Sequence, residues 1–197
     1  SPFFMETMMT YTNIGICSNA LLKIGAEGIT SFEDGTAEAE IAYSLYPLLR
    51  DGLLSAYPWS FAKAQKTLPR LANVPVADYQ YAYLLPNDFL RVISAGSGSR
   101  GRGIEYRILE NRLHTDAPDV TISYIFRPHE SAFPAFFCEA LIARLAAEFC
   151  LPLTESTSRA ELLGKLAEDA IAKARLTDAQ QGSPRTFEDF SLMEARL

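Results

Sequence analysis

Cysteine, histidine and long apolar runs are scarce in this chain of 197 residues, and each scarcity excludes a class of protein. The three cysteines, Cys17, Cys138 and Cys150, cannot all pair, form no CxxC spacing and have no histidine cluster beside them. That removes a disulfide scaffold, a structural zinc site and a dithiol redox centre, and leaves reduced thiols buried as small hydrophobes. The two histidines, His114 and His129, have no GxSxG elbow near them, so a hydrolytic triad lacks its parts. No apolar run approaches the roughly 18 to 20 residues of a bilayer span, and no basic stretch leads into an apolar one at the amino end. Membrane and secreted classes are therefore disfavoured. Basic residues are outnumbered, 18 Lys+Arg against 24 Asp+Glu for a net charge of -6. A surface that grips nucleic acid all over is excluded by that balance, whereas one basic patch is allowed. Neither a cofactor nor a metal is expected.

What remains is an ordinary globular composition, 48% hydrophobic and 21% charged, in a chain long enough to build a core without staples. Residues 1–9 carry no caps or periodicity and are expected to be disordered or a remnant of expression. From residue 12, Ile14, Cys17, Leu21 and Ile24 recur at helical spacing, with Thr12 or Asn13 as N-cap and Gly25 and Gly28 as the stop. Thr36 opens a second helix with Ile41, Leu45, Leu48, Leu49, Gly52 and Ala56 on or near one face, ended by Pro58. Pro47 inside it predicts a kink or break near Tyr43 to Pro47, because proline deletes a ladder bond and clashes with the preceding turn.

Between Trp59 and Pro128 the pattern changes to YQYAYLL, DFLRVIS, IEYRILE and DVTISYIF, tyrosine-, valine- and isoleucine-rich runs that alternate as half-buried antiparallel strands do. Hairpin connections are expected, with a turn at Glu110-Asn111-Arg112. Gly96, Gly98 and Gly101 spell GxGxxG after an apolar run, but no helix pattern opens at the third glycine. A dinucleotide fingerprint needs that helix to meet the pyrophosphate, so a loop between strands is the better reading. Arg100 and Arg102 on it are either phosphate-reaching groups or solvated side chains. Phe133 to Leu151 predicts the most buried helix, with Phe136, Phe137, Leu141, Leu145 and Phe149 beside several alanines, closed by Pro152. Ser158 and Glu161 fit a capping box that opens a last helix with Leu162, Leu166, Ala170 and Ala174 in line.

The predicted fold class is thus α+β: an antiparallel bundle of about four helices, interrupted by a mainly antiparallel β subdomain and followed by an extended carboxyl-terminal arm. The divisions fall at 10–58 and 129–181 for the two parts of the bundle, 59–128 for the insertion and 182–197 for the arm. Residues 60–128 sum to +3 and the remainder to -9, so the helical part is the acidic one. In the arm, Arg185, Phe187, Phe190, Leu192 and Met193 are the candidate anchors for a partner. Trp59, Phe61, Tyr81 and Tyr83 are candidate subunit or domain-junction contacts. Tyr79, Tyr81 and Tyr83 share a face if their strand is regular, as core or as subunit contact.

The ordered segments Pro58-Trp59-Ser60-Phe61-Ala62, Tyr81-Ala82-Tyr83-Leu84-Leu85-Pro86, Asp88-Phe89-Leu90-Arg91-Val92, Ile122 to Tyr124, Phe136 to Ala147 and Pro152-Leu153-Thr154 resemble the tail tubular protein A and head-to-tail adaptor family of tailed bacteriophages. The match runs over roughly residues 14–181. The resemblance implies a non-enzymatic virion protein of the tail or neck, assembled in the host bacterial cytoplasm. It implies a dodecameric ring between portal protein and tail nozzle protein, with DNA passing through its channel during genome ejection. It also implies a portal-binding arm, for which residues 182–197 are the candidate. Acidic residues such as Glu38, Glu40, Glu161, Glu168 and Asp169 would either keep phosphate from sticking to such a channel or are ordinary solvated helix faces. The alternative function is a peptidoglycan-degrading tail-associated hydrolase, since some relatives of the family resemble cell-wall hydrolases. It would need two carboxylates flanking a sugar groove. A third option is a small nucleic-acid-binding module using Arg91, Arg100, Arg102 and Arg107, whose affinity would fall steeply with salt.

Overall fold

The computed structural model describes residues 11–182. Helix α1 (Asn13–Lys23) starts where the Thr12 hydroxyl accepts from the Gly15 amide at 3.0 Å, and it ends before Gly25, which turns the chain at a φ of 77°. Helix α2 (Ala37–Ala56) starts the same way, with Thr36 Oγ1 accepting from the Ala39 amide at 3.2 Å and Glu38 and Glu40 in the first turn, where the helix dipole favours carboxylates. The chain then forms a 3₁₀ turn (Ser60–Ala62) and strands β1 (Lys63–Thr67), β2 (Tyr81–Leu84), β3 (Phe89–Gly96), β4 (Arg107–Leu109), β5 (Arg112–Thr115) and β6 (Thr121–Phe126). A second 3₁₀ turn (Glu130–Ala132) leads into α3 (Ala135–Thr154) and α4 (Thr157–Ala179).

Helix α3 touches the other three helices and is apolar nearly all round, burying Phe137, Leu141, Leu145 and Phe149. One core takes Cys17, Ala20 and Leu21 from α1, Ala42, Tyr46 and Leu54 from α2, the buried face of α3, and Ala174 from α4. The strands make two antiparallel three-stranded sheets, in the orders β1-β6-β3 and β2-β5-β4. A second core joins them through Tyr83 and Leu113 on one sheet and Ala95, Ile122 and Tyr124 on the other. Strand β6 serves both cores: Tyr124 faces the β core, while the next residue, Ile125, points the other way into the helical core.

Several expectations need correction. Helix α2 runs unbroken through Pro47, because the proline sits on the exposed side, where water can take the carbonyl that its missing N–H leaves unpaired. Pro152 likewise lies within α3 on an exposed side, and the helix ends two residues later at Thr154, with Glu155 in the left-handed region at a φ of 54°. The last helix starts before the Ser158 capping box: Ser156 is its N-cap, without a side-chain bond, and Ser158 lies inside the first turn. Helix α4 packs through Ala160, Leu163, Ala167, Ile171 and Ala174, and leaves Leu162 and Leu166 in solvent. The α2 seam runs through Ala39, Ala42, Tyr46, Leu53 and Leu54, and Leu48 is exposed. Among the described residues only β4 and β5 form a tight hairpin, turned by Glu110 and Asn111 at φ values of 50° and 58°. The remaining pairings join strands distant in sequence.

Candidate interaction surfaces

The passages between the helices and the strands are built from aromatic packing and charge. Trp59 is fully buried, its indole Nε1 donating to the Leu53 carbonyl at 2.9 Å, so it satisfies the last turn of α2, whose carbonyls lack helical partners. Its ring packs on Tyr57 at 4.9 Å, Phe137 at 5.1 Å and Phe61 at 6.2 Å between centroids. Phe61 in turn meets Phe133 and Phe137 at 5.9 and 4.9 Å, so the cluster ties α2 to the start of α3. Within the described residues Trp59 is therefore a junction residue with no exposed surface to offer a neighbour, and Phe61 lies half-buried beside it.

Carboxylates complete both passages. At one, Asp178 of α4 is buried and takes the Ser60 amide at 3.0 Å and its hydroxyl at 2.6 Å. At the other, Glu130 Oε1 accepts from the Tyr46 hydroxyl at 2.9 Å and from Arg50 Nη1 at 3.1 Å, while Arg50 Nε donates to Asp51 at 2.9 Å. Arg127, just past β6, closes the chain of charges on Asp51 with a 2.6 Å contact. Burial pushes the Glu130 carboxyl up, but its own backbone amide, the Tyr46 hydroxyl and Arg50 outweigh that and hold it below the usual range. Burial acts the same way on Asp51, and Arg127 and Arg50 together leave it lowered too.

Tyr83 is buried in the β core and donates its hydroxyl to the Ala117 carbonyl at 2.6 Å; Tyr81 on the same face is half-buried, with the Arg70 guanidinium 5.1 Å over its ring. Tyr79 lies outside the strand, edge-on to His114. Of the two open readings for these tyrosines, core packing accounts for Tyr83. The candidate arm residues Arg185, Phe187, Phe190, Leu192 and Met193, and the stretch 1–9, lie outside the described residues.

All three cysteines are free and buried. Burial, with the nearby Glu130 charge, pushes the Cys17 thiol up to about 12, and burial alone does the same for Cys138. A thiol reagent at neutral pH is expected to leave the folded protein unlabelled and to react fully after denaturation; rapid labelling of the native state would contradict this placement.

Two surface features stand out. Leu162, Leu166 and Leu176 on α4 are 58%, 53% and 68% exposed, and Tyr43 and Leu48 on α2 are exposed to a similar degree. The second is a cleft of about 1270 Å³ on the outer face of the β1-β6-β3 sheet, partly roofed by the glycine-rich loop after β3. Asp119 anchors that loop, accepting from the Gly98 amide at 2.8 Å and the Ser97 hydroxyl at 2.7 Å, bonds that hold its carboxyl below the usual range. The loop then folds back until Ser94 donates to the Gly101 carbonyl at 2.6 Å. A side chain at Gly96 would run into the backbone of Arg100 and Arg102, and one at Gly101 would meet Ser123 Oγ at 2.7 Å. Close packing explains those two glycines of the GxGxxG text, and β4, not a helix, follows. The roof brings Arg100 and Arg102 over Lys63 of β1, a residue the sequence pattern did not single out; Arg91 and Arg107 do not line the cleft.

Among the described residues, no group of three or more His, Cys, Asp or Glu side chains is placed to hold a metal, and no helix is long and apolar enough to cross a membrane. No protein-family model and no curated protein matches the chain.

Proposed function

We propose that the chain is a structural assembly subunit of the phage head-to-tail adaptor kind, which works by packing beside copies of itself and docking on a larger ring. The observation that carries this reading is the element order: two helices, strands, two helices, with one core shared by all four helices across the interruption. In the proposed arrangement the helices form an antiparallel bundle, the strands project as a subdomain, and residues 182–197 are the arm. Heterologous contacts between neighbours close into a ring, dodecameric in this proposal. Leu162, Leu166 and Leu176, which a monomer leaves in water, are the side chains such contacts would cover. The ring would sit between portal protein and nozzle protein and pass DNA without reacting with it. Glu40, Glu161, Glu168 and Asp169 are exposed on the helices and Glu38 is half-buried, which leaves the first four free to face a channel or bulk solvent.

The test uses the full chain and portal rings from the phage that encodes it. The full chain is expected to add a ring to the portal, visible as a mass increase and an extra layer in negative stain. A chain lacking residues 182–197 is expected to keep its circular dichroism spectrum and stay unbound. Undiminished binding of the shortened chain would overturn the arm, and failure of the full chain to bind would overturn the adaptor reading itself.

A further inference from the structure

We propose that the cleft between the glycine-rich loop and the outer face of the β1-β6-β3 sheet is a binding site for the phosphodiester backbone of a nucleic acid, held by Lys63, Arg100 and Arg102. The inference does not rest on ring formation or on the adaptor reading.

Charge is the first argument. Among the described residues the cleft lining contains these three cations and no carboxylate. All three side chains are exposed, and among the described residues none has an ion-pair partner. The Asp119 carboxylate, which accepts from the Ser97 hydroxyl and the Gly98 amide at the start of the loop, does not line the cleft. In a chain whose net charge is -6, three unpaired cations brought together from β1 and a loop more than thirty residues away form a local positive field inside a negative envelope.

The floor is the second argument. Gln65 of β1 and Ser123 of β6 are cross-strand partners whose side chains meet at 3.1 Å, and both line the cleft together with Ser94 of β3. These two hydroxyls and the amide, set beside Ala64 and Ile93, suit phosphate and sugar oxygens. Among the described residues no aromatic side chain lines the cleft, so bases find no platform there to stack on, and recognition falls on the backbone without regard to sequence. At about 1270 Å³ and open to solvent, the space exceeds the roughly 300 to 1,000 Å³ of a small-molecule site and fits an extended chain passing through.

The third argument is rigidity. The Ser94 bond to Gly101 and the close approach of Gly96 to the Arg100 and Arg102 backbone fix where both arginines leave the loop, so binding has only their side chains to order and not the loop.

The experiment is fluorescence anisotropy with the full chain and a short labelled DNA duplex of arbitrary sequence, titrated at stepped sodium chloride. Neutralising three phosphates predicts a log–log slope of about -2.7, so that a fourfold rise in salt weakens binding about 40-fold. Arg100→Ala/Arg102→Ala together should flatten the slope to about -0.9, about 3.5-fold over the same range, and Lys63→Ala should remove one further step. Arg159→Ala on α4, far from the cleft in the chain, should change nothing. Unchanged binding in the double variant, or no salt-dependent binding at low salt, would overturn the proposal. So would competition by inorganic phosphate beyond its ionic strength, which would mark a small-anion site. Unaltered melting temperatures confirm that the variants are folded, since every substituted side chain is exposed.

Discussion

Replacing Trp59 with alanine is expected to cost about 3 to 5 kcal/mol of stability and to lower the melting temperature by roughly 6 to 20 °C. The side chain is fully buried and sits against Tyr57, Phe61, Phe136 and Phe137, so its removal leaves a cavity that four rings cannot fill without leaving their own contacts. The same substitution takes away the donor that satisfies the Leu53 carbonyl at the end of α2. Trp59→Phe separates these contributions: it keeps most of the aromatic area and should cost less, with about 1 kcal/mol of the loss assignable to the missing indole N–H. Because the cluster bridges the end of α2, the first 3₁₀ turn and the start of α3, the loss should be felt by helices and strands together, as one cooperative transition at a lower denaturant midpoint. If Trp59→Ala instead melted the helices alone while the strand signal stayed intact, the helical core would not be coupled to the β core through β6, whose Ile125 and Tyr124 enter one each.

That coupling marks the boundary between what the sequence displayed and what it hid. Local signals were legible wherever one residue decides the outcome. Thr12 and Thr36 cap α1 and α2 because their hydroxyls reach amides three residues on, and Asn111 beside Glu110 tolerates the positive φ that a tight hairpin demands. Helix faces were harder. In α4 the larger residues Leu162 and Leu166 suggested one stripe, yet the helix lies on α3 through Ala160, Ala167 and Ala174, where small side chains permit close approach. Leu163 and Ile171 complete that seam, one position away from the stripe that size alone picks out. Strand β1 was hidden because it is an edge strand, polar on its exposed face, and only Ala64 faces the β core. Neither proline breaks its helix where the sequence suggested, Pro47 in α2 or Pro152 in α3, and each ring lies on the solvent side, a fact that no local pattern contains. Lys63 joins Arg100 and Arg102 only because β1 pairs with β6 and the loop after β3 folds over that sheet. The contacts of Glu130 span 80 and 84 residues, so only the folded chain reveals them.

Those contacts carry the second large effect. Glu130→Ala is expected to destabilise the protein by about 2 to 4 kcal/mol, because it strands a buried tyrosine hydroxyl and one face of a largely buried guanidinium. Arg50 keeps Asp51 as a partner, which sets the upper bound below that of a fully orphaned charge. Glu130→Gln should cost less, since the amide oxygen can still accept from Tyr46 and Arg50 while only the charge is lost. The pH dependence then identifies the group. In the folded protein Glu130 and Asp51 are both held below the ordinary carboxylate range, so the unfolded chain binds protons at a higher pH than the native one. The stability they contribute is complete above the unfolded values, which lie at about 4, and is lost as pH falls from there through the depressed native ones. Urea midpoints of the wild type should therefore decline across that acid window, and those of Glu130→Gln should decline less. The gap between them should close as Glu130 itself becomes protonated, because a neutral carboxyl and an amide then offer Arg50 much the same oxygen. A gap that stayed constant down to the acid limit would show that the glutamine variant loses packing and not charge, and would remove Glu130 from the network that fastens β6 to α2.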